Sequence, residues 1–249
     1  MPEKKRLDLL IVEKGLVHSR QRGRALIMAG KVLVNNRPVD KCGALVSKND
    51  DIVLKDKDIP YVSRGGLKLE KALNAFAINV ADLVCLDVGA STGGFTDCLL
   101  QNGASCVFAV DVGYGQLAWK LRQDPRVVVI ERSNIRHISA ESLPRPVDLI
   151  TIDVSFISLK IVVPATLKYL KKNGIILALI KPQFEVGKGK VGKGGVVRDP
   201  ALHDAVIKNL SDFFTNIGLF CKSVIPSPIL GPKGNKEFII FLQKLKNSL

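Results

Sequence analysis

Apolar runs of strand length alternate with helical patterns along residues 63–249 of this chain. The candidate strands are 83–88, 106–110, 126–130, 147–152, 174–180, 219–225 and 236–242. The candidate helices are 66–76, 94–101, 115–122, 158–170 and 200–216. Alternation of this kind predicts an α/β domain with a mostly parallel, doubly wound sheet. The last two runs follow each other without a helix, so we expect them to form an antiparallel hairpin.

The first strand of this series leads into a loop of glycine and small residues. The apolar run ends at Val88, and the residues that follow are Gly89, Ala90, Ser91, Thr92, Gly93, Gly94 and Phe95. The next run, 106–110, is closed by the carboxylate of Asp111. In Rossmann-like sheets such glycines let the backbone approach a nucleotide, and an acid after the second strand accepts hydrogen bonds from its ribose. We therefore expect a nucleotide-like cofactor, with Asn134, after the third strand, near its adenine ring.

The order of the glycines distinguishes between possible cofactors. The loop does not read G-x-G-x-x-G, and it contains no lysine that would cradle phosphates. A pocket without phosphate-binding groups suits S-adenosyl-L-methionine better than NAD or ATP. Taken alone, the loop has a simpler interpretation as a tight βα turn without a ligand.

Composition limits the class of partner and the compartment. The chain of 249 residues has 37 basic and 23 acidic residues, a net charge of +14. Such an excess favours polyanions as partners, although a generic cationic protein is the simpler alternative. Five cysteines without a C-x-x-C pair and three scattered histidines indicate reduced thiols and no metal site. No apolar stretch reaches the roughly twenty residues that span a bilayer, and no signal-peptide core follows the charged N-terminus. We expect a cytoplasmic protein that does not enter a membrane.

Residues 1–58 have the pattern of a small αβ unit. An amphipathic helix begins at Leu7 and is ended by Gly15, and a second helix has Ser19 as its N-cap and Gly30 as its C-cap. The other elements expected in this unit are strands at 31–34 and 51–54 and a turn at 35–38. The segment that follows, 59–62, reads as a linker to the domain formed by 63–249.

Basic residues crowd the first domain. Between Lys14 and Val39 the chain has six basic side chains and no Asp or Glu. A solvated charged face is the usual explanation of a basic run, but the absence of acids favours a surface that faces RNA phosphates. The candidate RNA-binding residues are Arg6, Arg20, Arg22, Arg24 and Lys31 in the first domain and Arg64, Lys188 and Lys190 in the second.

The sequence of this basic run resembles a known RNA-binding module. Its ordered residues are Ser19-Arg20, Ala25, Leu26-Ile27, Gly30 and Val32-x-Val34-Asn35. This pattern is similar to that of the S4 RNA-binding domain over roughly residues 6–55. The resemblance implies that the unit docks on structured RNA through shape and phosphate contacts rather than by reading its sequence.

Four polar residues stand at the ends of predicted elements in the second domain. They are Lys68 in the first turn of the first helix, Asp153 and Lys181 after the fourth and fifth strands, and Glu237 at the start of the last strand. The carboxyl ends of parallel strands meet at the crevice that holds a ligand, so we expect Asp153 and Lys181 to face the same cleft as the glycine loop. Any one such residue is more often solvated surface, but their collective placement favours a shared site.

Five segments of the second domain together resemble one family closely. They are 63–69, 87–97, 153–159, 181–185 and 234–238, which read SRGGLKL, DVGASTGGFTD, DVSFISL, KPQFE and GNKEF. These motifs are similar to those of the TlyA family, which couples an S4 domain to an FtsJ-like methyltransferase domain. The resemblance implies a Rossmann-like class I methyltransferase fold, whose mostly parallel seven-stranded sheet has its last strand antiparallel.

The same resemblance carries an activity. It implies methylation of the ribose 2′-oxygen of ribosomal RNA, typically at cytidine, with S-adenosylmethionine as the methyl donor. It also implies a Lys-Asp-Lys-Glu tetrad, which falls on Lys68, Asp153, Lys181 and Glu237. The expected partners are ribosomal RNA or ribosomal subunits, and no obligate protein partner is evident.

A ribose hydroxyl must lose its proton as it attacks a methyl group. A lysine can take that proton if desolvation and a neighbouring cation lower its pKa, whereas nearby acids act in the opposite direction. We expect Lys181 to be the base and Lys68 the neighbouring cation, and we expect the two acids of the tetrad to orient both amines. Most of the acceleration should come from aligning oxygen, methyl carbon and sulfur.

A basic, glycine-rich loop at 186–198 is a further candidate element. It is not a Walker A motif, because no Gly-Lys-Ser/Thr opens a helix there. We expect a lid that becomes ordered when RNA binds, and a merely flexible loop is the alternative.

Two functions of other classes stay open. One is an RNA-binding assembly factor with an inactive methyltransferase fold, which the intact tetrad disfavours. The other is a haemolysin, since TlyA proteins often carry that name, but the sequence offers no segment for membrane insertion. An NAD-dependent enzyme is disfavoured by the glycine spacing.

Overall fold

The computed structural model describes residues 4–17, 19–55, 59–139, 142–187, 189–192 and 194–244. The chain forms two compact units, Met1–Pro60 and Tyr61–Leu249. The division between them falls within the segment 59–62 that the sequence indicates as a linker. Each unit has a hydrophobic core of its own.

The first unit contains two helices and two small antiparallel sheets. In chain order its elements are β1 (Lys4–Arg6), α1 (Leu7–Glu13), α2 (Arg20–Met28), β2 (Val32–Val34), β3 (Arg37–Pro38), β4 (Leu45–Ser47) and β5 (Ile52–Leu54). Strand β1 pairs with β4, and β2 lies between β3 and β5. The helices and the three-stranded sheet share a core that includes Leu7, Ile11, Ile27 and Val32.

The caps of helix α2 show how the sequence sets its ends. The side chain of Ser19 accepts a hydrogen bond of 3.2 Å from the Arg22 backbone N–H, which confirms the predicted N-cap. At the other end Ala29 is the C-cap, and Gly30 follows it with φ +65°. The predicted C-cap therefore lies one residue too late, because the glycine occupies the left-handed position beyond the cap.

Three short strands of the first unit differ from the sequence prediction. Strands β1 and β4 are not predicted, since the three basic residues of β1 lack apolar alternation and are held in place by pairing with β4. Residues Arg37 and Pro38, expected in a turn, pair with β2 as strand β3. The turn itself consists of Asn35 and Asn36, both with positive φ, which is the geometry of a two-residue hairpin loop.

The second unit is a single sheet with helices around it. Its strands are β6 (Val84–Val88), β7 (Cys106–Val110), β8 (Val127–Ile130), β9 (Val147–Ile152), β10 (Leu170–Ile180), β11 (Leu219–Pro226) and β12 (Phe238–Lys244). Its helices are α3 (Gly65–Ala75), α4 (Gly94–Gln101), α5 (Trp119–Arg122), α6 (Leu159–Thr166), α7 (Pro182–Glu185) and α8 (Pro200–Asn216). Every strand predicted for this domain is present within the described residues.

The seven strands lie in the order β11-β12-β10-β9-β6-β7-β8. Strand β12 runs antiparallel to both of its neighbours, β10 and β11, and the other pairs are parallel. This arrangement confirms the predicted mostly parallel sheet with its last strand reversed. The central strands β6 and β7 are buried along their whole length, as expected for strands covered on both faces.

Two helices are shorter than their patterns predict. The helix expected at 115–122 begins only at Trp119, because the preceding loop includes Gly115 with φ +72°. The helix expected at 158–170 gives way after Thr166 to a 3-10 turn and then to β10. Pro164 lies inside that helix and removes one backbone donor from its last turn.

The parallel strands β6, β9 and β10 end next to one another at Val88, Ile152 and Ile180. The residues that follow these strands therefore meet at a single edge of the sheet, where ligands bind in open α/β folds. Among the described residues, none of the helices has the length and apolar character needed to cross a membrane.

Candidate active site

The glycine loop after β6 has a backbone shape that its sequence requires. Gly89 and Gly93 have φ of +86° and +99°, values that residues with a side chain rarely adopt. A β-carbon at Gly89 would lie 2.6 Å from the carbonyl oxygen of Asp153, so the loop passes directly against the end of β9. Gly93 is the N-cap of α4 and faces Leu117 and Leu121.

Asp111 fixes the loop from the end of β7. Its Oδ2 accepts a hydrogen bond of 2.8 Å from the Ser91 N–H, and its Oδ1 accepts one of 2.7 Å from the Gly113 N–H. Each carboxylate oxygen has a second lone pair, so the side chain can accept further hydrogen bonds from a ligand. The acid that the sequence singles out therefore also organises the loop.

A cavity of about 430 Å³ lies beside Asp111, and we call it the Asp111 cavity. Its polar residues include Ser91, Asp111 and Asn134, and its apolar wall includes Val110, Ile135 and Val162. Asn134 uses its side-chain oxygen to accept a hydrogen bond from the Arg136 backbone N–H at 3.1 Å. A mostly apolar slot with a few convergent polar groups is typical of a nucleoside site.

A buried acid, Asp87, lies in β6, two residues before the glycine loop. It is fully buried in β6 and accepts hydrogen bonds from the hydroxyls of Thr96, at 2.7 Å, and Thr151, at 3.0 Å. Burial raises the pKa of Asp87 from its ordinary 3.8 to about 6, although the two hydroxyls act in the opposite direction. This residue ties α4 to the sheet and does not line the Asp111 cavity.

The four polar residues at the element ends lie together. Lys68 Nζ is 2.6 Å from Glu237 Oε2 and 3.7 Å from Asp153 Oδ2. Lys181 Nζ is 2.5 Å from Asp153 Oδ1. The order Glu237, Lys68, Asp153, Lys181 thus alternates in charge, and the two lysines share one carboxylate. Both lysine side chains are 9 % exposed, which leaves each amine largely desolvated but reachable.

These four residues line a second cavity of about 340 Å³, which we call the Lys68 cleft. Its other lining residues include the predicted Ala90, Thr92, Gly94, Phe95 and Arg64. The cleft and the Asp111 cavity have Gly89, Ser91, Asp153 and Ser155 in common. A ligand in the Asp111 cavity would therefore extend past the glycine loop to the charged array. Gly93 lines neither cavity and shapes the loop instead.

The structure gives two of the predicted RNA-binding arginines an internal partner. Arg6 and Arg20 both hydrogen-bond to the fully buried carboxylate of Asp8, at 2.9 and 3.0 Å for the closest pairs. The hydrogen bond from Arg6 lowers the pKa of Asp8 to about 2. The sequence run without acids does not reveal this partner, because Asp8 precedes it. About half of each arginine side chain nevertheless stays exposed.

The remaining predicted basic residues lie on surfaces. Arg24, Lys31, Arg64 and Lys190 are exposed and Arg22 is half-buried, whereas Lys188 lies outside the described residues. Two residues of the loop at 186–198 hydrogen-bond to the side chain of Asn235. This side chain accepts a hydrogen bond from the Val197 N–H at 3.1 Å and donates one to the Gly195 carbonyl at 3.0 Å. The end of that loop is therefore tied to the segment that leads into β12.

Three further residues of this region have contacts that the sequence does not predict. Ser155 accepts a hydrogen bond of 3.1 Å from Lys181 Nζ, two residues after Asp153. Phe156 follows with φ +63°, is 90 % exposed and lines the Asp111 cavity. Glu185 accepts hydrogen bonds from Ser158 and the Leu159 N–H at the start of α6, and burial raises its pKa. All three stand inside motifs already recognised, but only the geometry gives them contacts.

The strand order, the glycine turn and the acid after the second strand define a class I methyltransferase fold. Residues 61–244 match the FtsJ-like methyltransferase family model, and residues 5–52 match the S4 domain model. The chain therefore belongs to the FtsJ-like methyltransferase family and carries an S4 domain at its N-terminus, as the resemblance to TlyA proteins predicts.

Known proteins resemble the chain over nearly its whole length. It is 48 % identical over 241 residues to a candidate rRNA methyltransferase, YqxC, of Bacillus subtilis, covering 96 % of this chain and 86 % of the relative. It is also 48 % identical over 244 residues to the 16S/23S rRNA (cytidine-2′-O)-methyltransferase TlyA of Mycobacterium tuberculosis, covering 98 % and 91 %. A solved structure of a candidate hemolysin from Streptococcus thermophilus superposes with a TM-score of 0.77 at 44 % identity, covering 99 % and 90 %.

Proposed function

We propose that this chain transfers a methyl group from S-adenosylmethionine to a ribose 2′-hydroxyl of ribosomal RNA, at cytidine. The observation that carries the proposal is the alternating array of Glu237, Lys68, Asp153 and Lys181 in a cleft continuous with the Asp111 cavity. The named activity of the Mycobacterium tuberculosis relative supports both the reaction and the choice of nucleotide.

The Asp111 cavity fits an S-adenosyl group. Asp111 keeps acceptor capacity for ribose hydroxyls, and the apolar wall at Ile135 and Val162 suits an adenine ring. Asn134, which precedes Ile135 in the chain, also lines this cavity and would contact that ring. Gly89 lines both this cavity and the Lys68 cleft, so the end of the cofactor can pass it toward the cleft. When bound, the cofactor supplies an electrophilic methyl group on a sulfonium.

The charged array would handle the proton of the ribose hydroxyl. Lys181 Nζ, in its neutral form, takes the 2′-hydroxyl proton, and the Lys68 ammonium stabilises the negative charge that develops on the oxygen. Asp153 lies between the two amines and holds both in place, and Glu237 fixes Lys68 from the other side. Because the side chains are preorganised, the residues contribute chiefly through alignment and electrostatics.

The first unit would supply affinity for RNA. The S4 domain match and the exposed basic residues Arg24 and Lys31 support docking on folded RNA through phosphates. Arg64, which lines the Lys68 cleft, and Lys190, exposed in the same unit, would add phosphate contacts. Ribosomal RNA, free or within ribosomal subunits, is the substrate we propose, because the names of the relatives give rRNA as theirs.

The proposal is tested by methyl transfer to defined substrates. Purified 30S and 50S subunits are incubated with the protein and tritiated S-adenosylmethionine, and modified positions are located by ribose-methylation mapping. We expect label at a ribose 2′-oxygen of cytidine. A chain that binds the subunits and the cofactor but leaves every ribose unlabelled would be a silent assembly factor instead.

A further inference from the structure

Glu237 holds Lys68 with only one of its two carboxylate oxygens. Oε2 accepts the 2.6 Å hydrogen bond from Lys68 Nζ, whereas Oε1 is buried and has no hydrogen-bond partner among the described residues. A buried acceptor without a partner is costly, and a side chain with freedom to rotate would move it toward a donor or solvent. The surroundings must therefore hold the carboxylate in this position.

Glu237 Oε1 occupies the position that a side chain at residue 231 would fill if that residue were not glycine. A β-carbon at Gly231 would lie 2.1 Å from Glu237 Oε1 and 2.6 Å from its Cδ. Real β-carbons do not approach other atoms so closely. Because the close approach is to the end of a side chain and not to backbone, alanine at position 231 would displace the carboxylate rather than unfold the domain.

The backbone at Gly231 gives no separate reason for glycine. Its φ of −72° and ψ of −175° lie in the extended region that every residue adopts. Its N–H donates a hydrogen bond of 2.8 Å to the carbonyl of Asn235, two residues before Glu237, and an alanine would keep that bond. What an alanine would remove is room for the acid.

We propose that Gly231 is a positioning residue of the charged array. Its lack of a side chain seats the Glu237 carboxylate, which fixes Lys68 Nζ 3.7 Å from Asp153 and so beside Lys181. The consequence for catalysis rests on the proposed function, whereas the seating of the carboxylate does not.

The first test is the Gly231→Ala variant of the full chain. We expect kcat for methyl transfer to fall by roughly tenfold or more, because misalignment of catalytic groups is costly in rate. The affinity for S-adenosylmethionine should stay close to that of the wild type, and the protein should stay folded with a modestly lower midpoint of thermal unfolding. An unchanged kcat would overturn the proposal.

The second test is a rescue through the partner residue. Glu237→Asp withdraws the carboxylate by one methylene, so alone it should lower kcat, but in the Gly231→Ala background it should raise kcat above that of Gly231→Ala. If the alanine at position 231 lowered kcat by a route other than the Glu237 carboxylate, Glu237→Asp would not restore any activity. Losses in the double variant equal to the product of the single losses would contradict the proposal.

The same four proteins separate this inference from the proposed function. Thermal unfolding needs no activity, and we expect the two substitutions to be coupled there as well, with a double variant more stable than the sum of the single effects. If the effects of the two substitutions on unfolding are coupled but the wild type transfers no methyl group, the positioning of Glu237 by Gly231 stands and the proposed function is rejected. If the effects on unfolding are additive and the wild type transfers methyl groups normally, only the positioning of Glu237 by Gly231 is rejected.

Discussion

Lys68 Nζ donates a hydrogen bond of 2.6 Å to Glu237 Oε2, although the two residues are 169 positions apart in the sequence. Helix α3 supplies the lysine and the segment before β12 supplies the acid, so the pair joins the first and last elements of the second unit. Both residues are buried, and the ammonium also faces Asp153. The pair thus forms only when the whole sheet is assembled.

The buried pair predicts an asymmetry between single and double substitutions. Lys68→Met leaves the Glu237 carboxylate buried without a cation, so we expect the free energy of unfolding to fall by about 3 kcal/mol. Adding Glu237→Leu removes the uncompensated charge and should recover most of that loss, while methyl transfer stays absent. Chemical denaturation of the two variants and the wild type measures this. A double variant no more stable than Lys68→Met would contradict the prediction.

Asp87 predicts a pH dependence of stability. Its pKa of about 6 in the folded protein exceeds its ordinary value of 3.8, so the folded state binds more protons between these values and stability falls as pH rises through them. Asp87→Asn resembles the protonated acid and does not lose this contribution. We expect the stability of the variant relative to the wild type to increase by up to about 3 kcal/mol from pH 4 to pH 7. Parallel stability curves over this range would rule out a raised pKa.

The glycine loop predicts a specific loss of cofactor affinity. Gly89→Ala combines a left-handed φ with a 2.6 Å approach to the Asp153 carbonyl, so the loop must move away from β9. The matched control is Gly15→Ala, where φ is +68° and a β-carbon meets nothing within 4 Å. Both variants carry the backbone strain of roughly 1–2 kcal/mol, but only Gly89→Ala should weaken binding of S-adenosylmethionine, by about tenfold or more in calorimetry. Equal affinities in the two variants would show that the loop does not shape the cofactor site.

Two arginines of α2 predict different phenotypes. Arg20 hydrogen-bonds to buried Asp8, so Arg20→Ala should lower both the stability of the first unit and the affinity for RNA. Arg24 is exposed on the same helix, and Arg24→Ala should weaken RNA binding and its salt dependence with little effect on stability. Filter binding at several salt concentrations and thermal unfolding distinguish the two. Equal unfolding midpoints in the two variants would show that Arg20 does not stabilise the first unit.

Elements that are encoded by local sequence patterns can be predicted from the sequence, whereas elements that depend on contacts between distant segments cannot. The strands β7 and β9 match their predicted bounds, because both runs are mostly apolar and each is followed by an aspartate, Asp111 or Asp153. Strand β7 is apolar throughout, whereas β9 contains Asp148 and Thr151. The strand β1 has no such pattern and exists through its pairing with β4, which the local sequence does not encode.

The same distinction between local and distant contacts applies to the residues of the site. The placement of Asp153 and Lys181 follows from the rule that parallel strands end at one edge, and the motifs identify their residue types. The anchoring of Arg6 and Arg20 on Asp8, and the unpartnered oxygen of Glu237 over Gly231, depend on side-chain packing between distant segments. Such contacts need the assembled structure.

Lys181 is the group that the proposed function requires to take the ribose proton. The direct test is single-turnover methyl transfer by Lys181→Ala on ribosomal subunits, with cofactor affinity and thermal unfolding measured on the same preparation. We predict a folded protein that binds S-adenosylmethionine as the wild type does and transfers the methyl group roughly 10²–10⁴-fold more slowly. A Lys181→Ala protein that methylates cytidine ribose at the wild-type rate would contradict the account.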